Sequence, residues 1–412
     1  MDLIIRAGRD DHRVIAELSA PATTGLRLAR AVPFTAIVAD APVAAARPEL
    51  RETAESAALP FLVDPMTFLL ADVQPPAHAW ARLPFAGAEA LRPADLAHGD
   101  VQDELVERVI MFQREQGATL LIPPYVYMGK RDDGWLPVQL SLLRRTARYL
   151  ERENVDLPVA AIFAASLRQF GPQAQWREGL DAFIARSQEL NTRFVGLSLS
   201  WSEQGKDSYD TLAMLLTVTR HAAGRAPVIA WRQGLYGAAL TAAGAQGYET
   251  GPGHSERGMY PTLMSDRRPR PPRPDDDGPN GFGVANVYLG PLGRSLRRAD
   301  ARVLLEDMPM RARLLCQDDA CCPDGAGSMV TDWRQHATRA RASQLADLAR
   351  MPQSSWRLNQ IARDAERAAL IARDASEVLH RGGRDVTVPH ASFEHLAAVA
   401  DAVRAEAGSD VA

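Results

Sequence analysis

Short apolar runs recur along this chain, most closed by a polar or charged residue and followed by a longer amphipathic stretch. Phe34–Ala39 ends at Asp40, Phe61–Val63 at Asp64, Thr119–Ile122 in Pro123, Pro124 and Tyr125, and Pro158–Phe163 near Ser166. Phe194–Leu199 ends at Ser200 and Trp201, Pro227–Trp231 at Arg232, Gln246–Tyr248 at Glu249, and Gly283–Leu289 at Gly290. Short apolar runs bounded by turn residues read as strands buried on both faces, the habit of a parallel sheet. Helical patterns lie between them at Pro48–Ala58, Val101–Gln116, Pro137–Asn154, Trp176–Leu190 and Asp207–Ala223, with a shorter one at Gly234–Ala243.

This alternation predicts the α/β class and a (β/α)8 barrel of the TIM type. A doubly wound open sheet is the rival, but eight strands is the number that closes a ring. In front of the barrel, Met1–Arg30 is expected to add a strand (Leu3–Arg6) and a helix (Asp11–Leu18). Gly251–Phe282 breaks the rhythm with many Pro, Arg, Asp and Gly residues, and loops this long inside a compact domain tend to be functional or disordered. After the last run come a helix at Ser295–Asp307, a cysteine cluster, and helices near Trp333–Arg350, Ser355–Leu379 and Ser392–Ala407, with Gly382 and Gly383 as a stop. The expected division is residues 1–310 as the barrel with its N-terminal addition, and 311–412 as a cysteine-cluster and helical extension.

Composition changes this picture little. The chain has 412 residues, 46% of them hydrophobic, enough for a real core. A formal net charge of -4 excludes a globally basic nucleic-acid coat but leaves room for a local basic patch. Arg267–Arg273 (RRPRPPR) is such a patch, partly offset by Asp275–Asp277. No apolar run approaches the roughly 20 residues that span a bilayer, and Met1–Arg9 lacks the apolar core of a signal peptide. The expectation is a cytoplasmic protein without a membrane partner.

In a β/α barrel the reactive groups sit at the C-terminal ends of the strands. Asp64, in LPFLVDP, and Glu249, in GAQGYETGPG, are the two carboxylates that stand out there. A carboxylate at such a rim can serve as nucleophile or as general acid or base, or simply cap a helix or pair with an arginine such as Arg232. Tyr125, Trp201 and Arg232 share the rim, while His254 and Arg257 follow Glu249 in GHSER; these are the candidate substrate-binding residues. All three cysteines, Cys316, Cys321 and Cys322, fall together, and His336 follows fourteen positions after Cys322. Three thiolates and one imidazole suffice for a tetrahedral structural zinc, and an odd, clustered set argues against a disulfide framework. P-loop, dinucleotide fingerprint, HExxH and GxSxG motifs are absent.

The layout resembles the tRNA-guanine transglycosylase family, over about residues 34–380 and as order rather than as motif. Asp64 in FLVDP resembles that family's early carboxylate and Glu249 in GYETG its late one, with Glu where the family usually has Asp. Cys316, Cys321, Cys322 and His336 resemble its zinc set in order, although CxxxxCC stands in place of CxCxxC. The resemblance implies a transferase of the glycosyltransferase kind: base exchange on a nucleic acid, tRNA or DNA, through a covalent glycosyl-enzyme intermediate. Glu249 would then be the nucleophile, Asp64 the proton carrier, and zinc a structural cofactor. A non-catalytic binding module on a barrel scaffold and a barrel enzyme for a small molecule are the alternatives. A homodimer or a partner protein completing the site stays open.

Overall fold

The computed structural model describes residues 1–20, 31–71, 78–87, 89–129, 133–170, 175–200, 207–252, 260 and 286–409. Its centre is a sheet of parallel strands: β1 (Asp2–Ala7), β2 (Ala36–Asp40), β3 (Phe61–Asp64), β4 (Tyr127–Met128), β5 (Val159–Ser166), β6 (Thr192–Ser200), β7 (Val228–Ala230) and β8 (Gly247–Thr250). The order β3-β2-β1-β8-β7-β6-β5-β4 puts β1 between β2 and β8. Parallel bridges Leu62↔Leu120 and Leu121↔Val159 join β3 to β5 through the stretch that leads into β4, so the ring closes. The fold is a TIM-type (β/α)8 barrel.

Eight strands are found, but the set is shifted by one from the sequence expectation. Leu3–Arg6 is not an addition. It is the first barrel strand, with Ile4 paired to Ala36 on one side and to Glu249 on the other. The seam it fills leaves no place for Gly283–Leu289. That run instead supplies β9 (Asn286–Leu289), which turns at Gly293 (φ +58°) and pairs antiparallel with β10 (Arg294–Arg297). Among the described residues no helix is long and apolar enough to cross a membrane.

The fourth strand carries its own lesson. Pro123 and Pro124 cannot donate to a ladder, so regular pairing is lost between Leu121 and Tyr127. Buried side chains take over. Gln113 accepts from the Ile122 amide at 2.8 Å and donates to its carbonyl at 2.7 Å. The Tyr125 amide donates to Thr67 Oγ1 at 2.7 Å, and that hydroxyl donates to the Tyr125 carbonyl. Gln139 accepts from the Val126 amide at 2.8 Å. The break is thereby fixed in place, and it sets Tyr125 at the C-terminal end of the ring.

Two apolar cores share one long helix. The barrel core includes Leu358, Ile361 and Ala362 from the first half of helix Ser354–Arg381. The second core gathers Val287 and Leu289 of the hairpin, Leu304, Leu314, Met329 and Trp333, and the second half of that helix from Ala368 to Leu379. An alanine-rich face (Ala365, Ala368, Ala369, Ala372, Ala375) is buried along it, where small side chains permit close helix packing. Ser354 Oγ donates to the Ala242 carbonyl at 2.7 Å and Arg341 Nη1 to the Gly234 carbonyl at 2.8 Å, tying the extension to the end of helix Gly237–Ala242 and to the turn after β7.

Candidate functional site

Five ionisable side chains meet at the C-terminal end of the ring, each from a different strand or the turn that follows it. Arg6 comes from β1, Asp40 and Asp64 end β2 and β3, Arg232 follows β7, and Glu249 lies in β8. Asp40 and Asp64 are direct neighbours in the β2–β3 register. Arg6 is the hub. Its Nε donates to Glu249 Oε1 at 2.7 Å and Nη2 to Oε2 at 3.1 Å, while Nη1 donates to Asp40 Oδ1 at 2.5 Å and Asp64 Oδ2 at 2.9 Å. Arg232 Nη2 reaches the same two aspartate oxygens, each at 3.0 Å, and the Arg232 amide donates to Glu249 Oε2 at 2.8 Å.

Asp64 is held further. Its Oδ1 accepts from the Tyr125 hydroxyl and from the Met66 amide, both at 2.9 Å. Asp64 and Glu249 are 0% exposed. Two guanidinium groups against three carboxylates leave the cluster one formal negative charge. Burial alone would lower the Arg6 pKa, but Glu249, Asp64 and Asp40 together hold it well above the ordinary value. Burial and Arg6 likewise oppose the charge on Arg232, and Asp40 and Asp64 outweigh them, so it too is raised. Burial and the Asp64 charge push the Tyr125 hydroxyl well up, keeping it a neutral donor.

Arg232 has φ +55° and Met66 φ +53°, the left-handed region that non-glycine residues seldom occupy. Both sit beside the cluster, and strain of this kind gathers at functional sites. Trp231 lies under Arg6, whose guanidinium carbon is 5.1 Å from the ring centroid. Around the rim, Tyr260 stacks on Tyr127 at 4.8 Å, meets Phe68 edge-on at 4.7 Å, and donates to Ser198 Oγ at 3.0 Å. Tyr127 and Ser200 share a hydrogen bond of 2.5 Å.

Of the residues expected from sequence, Asp64, Glu249, Tyr125 and Arg232 are therefore brought together. Trp201, His254 and Arg257 lie outside the described residues. Asp40, one of the strand-end residues the apolar runs point to although not singled out among them, and Arg6, which was not expected, complete the cluster. Arg6 was hidden because its strand reads as an addition ahead of the barrel. The available signal was a charged residue near the end of an otherwise apolar run, Leu3–Ala7.

A second constellation lies in the extension. The ligand atoms of Cys316, Cys321, Cys322 and His336 all fall within 4.8 Å of one another. Cys321 and Cys322 Sγ are 3.8 Å apart and lie 3.6 and 3.3 Å from His336 Nδ1. Those edges match a tetrahedron with metal–ligand bonds of about 2.0–2.3 Å. His336 Nε2 faces the Tyr288 carbonyl at 2.9 Å and must donate to it, which turns Nδ1 toward the sulfurs, where it offers a lone pair to a metal once its own proton is lost. Donation from the Cys322 thiol pulls Cys321 down to about 5, against burial, with help from His336. Four donors of this chemistry suit a metal ion.

No family model matches the chain, and no curated protein does. Among solved structures it is similar to a protein named as a phosphonomutase from Burkholderia cenocepacia, at 17% identity and a TM-score of 0.31 over 64% of this chain and 88% of that one. It is also similar to the carboxyl transferase domain of Rhizobium etli pyruvate carboxylase with pyruvate, at 12% identity and a TM-score of 0.36 over 100% of this chain and 62% of that one. The same domain with 3-hydroxypyruvate gives 11% and 0.35, with 61% of that chain covered, so this chain spans about three fifths of those structures. The closed ring of parallel strands carries the fold by itself.

Proposed function

We propose that this chain is a barrel enzyme whose active site is the mouth formed by Arg6, Asp40, Asp64, Tyr125, Arg232 and Glu249, and that its substrate is a small polar molecule. The observation behind this reading is the gathering of five ionisable groups, four of them buried and Asp40 partly so, at the one end of the barrel where catalysis occurs. Taking charges out of water costs several kcal/mol per ion, and a buried ion pair is weak evidence for stability. An apolar plug would serve a purely structural role as well. The carboxylate oxygens can accept from substrate hydroxyl or amine groups, and Tyr125 supplies a neutral donor. The excess negative charge disfavours a phosphate-rich polymer. A thermal-shift screen of hydroxyl- and amine-bearing small molecules tests this. Hits are expected on the wild type and not on Asp64→Asn, with no retention of tRNA or DNA at low salt. Salt-dependent nucleic-acid binding without any small-molecule hit would overturn it.

One observation favours a second reading, base exchange on nucleic acid. Asp64 and Glu249 meet on a single guanidinium, as convergent acid and nucleophile require. In that reaction a Glu249 oxygen would bond to C1′ of a nucleotide as the glycosidic C–N bond breaks, and Asp64, having first taken up a proton, would pass it to the leaving base. Both Glu249 oxygens accept hydrogen bonds, so attack first needs release from Arg6 or from the Arg232 amide. A trapped covalent adduct on the wild type, absent in Glu249→Ala, would establish this reading over the first.

For the extension we infer zinc, held by Cys316, Cys321, Cys322 and His336 in a structural role. The support is a closed set of three thiolates and one imidazole at tetrahedral spacing. Elemental analysis should find zinc in the purified protein and much less in Cys322→Ser.

A further inference from the structure

The cysteine centre is covered on one side and open on another. Cys322 is 2% exposed and belongs to the second apolar core. Cys316, Cys321 and His336 instead line a cavity of about 530 Å³ between barrel and extension. Its other walls come from the turn after β7, the β9–β10 hairpin and three C-terminal helices. A cavity of this size admits small molecules, and here it leads to the donor atoms of a metal site.

The segment that carries the three cysteines is wound on Asp318. Asp318 Oδ1 accepts from the amides of Ala320 and Cys321 at 2.9 and 3.1 Å, and its carbonyl accepts from those of Cys321 and Cys322 at 2.8 and 2.9 Å. Cys316 is tied down separately, its amide donating to Met329 Sδ at 3.3 Å. The turn brings Cys316 Sγ within 4.8 Å of Cys321 Sγ. Asp318, Asp319 and Ala320 between them are exposed, so this loop can tighten to bonding distance without disturbing a core. Cys321 and Cys322 Sγ are closer, at 3.8 Å, but these residues adjoin in the chain. Neighbouring Cα atoms are about 3.8 Å apart, short of the roughly 4.4–6.8 Å that an unstrained disulfide spans. The pair suited to bond is therefore Cys316 with Cys321.

We propose that Cys316 and Cys321 are an oxidation site served by this cavity, where a hydroperoxide joins them as a disulfide and the metal is released. The proposal rests on the zinc reading above. Cys316, half-buried, meets the oxidant first. Its thiolate attacks one peroxide oxygen, the O–O bond breaks, and hydroxide leaves, giving a sulfenic acid. The Cys321 thiolate then attacks the Cys316 sulfur and displaces a second hydroxide. The two sulfurs give up two electrons between them, the peroxide takes both, and each hydroxide gains a proton from solvent to become water. Cys322 and His336 remain, half of the four ligands that a structural zinc needs.

The test uses the full chain as purified, its zinc measured by elemental analysis, with hydrogen peroxide as the probe. Peroxide should release zinc to a chromogenic chelator in step with the loss of two thiols. Peptide mass spectrometry should place the new disulfide between Cys316 and Cys321, and dithiothreitol with added zinc should restore the metal. Cys316→His supplies another donor but no sulfur, so peroxide should release its zinc at least about tenfold more slowly. Gly290 lines the cavity, and a Cβ there meets no heavy atom within 4 Å, so Gly290→Trp adds bulk to the wall without moving backbone. Release from it should also slow, by about tenfold, since oxidation follows access. Circular dichroism and zinc content before peroxide establish that each variant folds. Zinc retained under peroxide, zinc lost with a Cys321–Cys322 disulfide or with no disulfide, or equal rates in Gly290→Trp and wild type would each overturn the proposal. Protein that carries no zinc from the start would overturn the zinc reading and this proposal together, whereas zinc that is present but resists peroxide would overturn this proposal alone.

Discussion

Arg6 touches three carboxylates with one guanidinium, and two of those carboxylates are fully enclosed. Removing one partner of a buried ion pair leaves the other charge stranded, at a cost of about 3–5 kcal/mol. Arg6→Gln should therefore lower unfolding free energy by about that much in urea at neutral pH. A loss under about 1 kcal/mol would mean that Arg232 and the backbone donors suffice to hold Asp64 and Glu249. At this scale much was legible in the sequence. Asp64, Tyr125, Arg232 and Glu249 follow from the rule that barrel chemistry sits at strand ends. Their pairing did not follow, because which carboxylate meets which arginine depends on strand neighbours, and β1 and β8 become neighbours only when the ring closes. The second role of Arg232, donating through a backbone amide turned by φ +55°, leaves no trace in residue type.

Among the elements, the broken fourth strand and the closing seam are the places where a single substitution should matter most. Gln113 satisfies both backbone groups of Ile122 and is 0% exposed. Gln113→Leu keeps the volume but leaves a buried N–H and C=O unpaired, at a cost of about 1–3 kcal/mol each before relaxation. Chemical denaturation should register the loss, and hydrogen exchange at Leu121 and Ile122 should quicken; unchanged exchange would mean that water replaces the glutamine. At the seam, Gly247 pairs with Asp2, and a Cβ there would lie 1.8 Å from the Asp2 carbonyl oxygen, a backbone atom that cannot swing aside. Gly247→Ala should part β1 from β8 and cost about 3 kcal/mol or more, read as a lower melting temperature with early exchange at Ile4 and Ile5. Apolar periodicity found the strands but not this seam. Leu3–Arg6 and Gly283–Leu289 are alike as sequence, both short and apolar, and only pairing distinguishes a barrel strand from a hairpin arm. The glutamine repair is equally hidden, since a buried Gln within a helical pattern looks like any other polar position.

For the molecule as a whole, the physical question is what holds the extension besides its apolar core, and the cysteine centre is the strongest candidate. It joins the segment from Cys316 to Cys322 to His336, at the start of helix Trp333–Ala349. His336 is joined in turn to Tyr288 of the hairpin, and Arg341 of the same helix is bonded to Gly234 beside the mouth. Order along the chain made the four ligands visible; the cavity beside them was not, since its walls come from many separate elements. Structural zinc contributes about 10–16 kcal/mol in small peptides that are otherwise unfolded. Here the apolar second core supplies part of the order, so metal removal should loosen the extension and spare the barrel. Chelation together with a thiol-reactive mercurial should release the ion. Hydrogen exchange should then rise across residues 316–336 and spread into the hairpin at 286–297, while β5 and β6 keep their protection. Exchange that rises equally in β5 and β6 would show barrel and extension to be one cooperative unit. Exchange that does not change anywhere would show that the second core holds the extension without the ion.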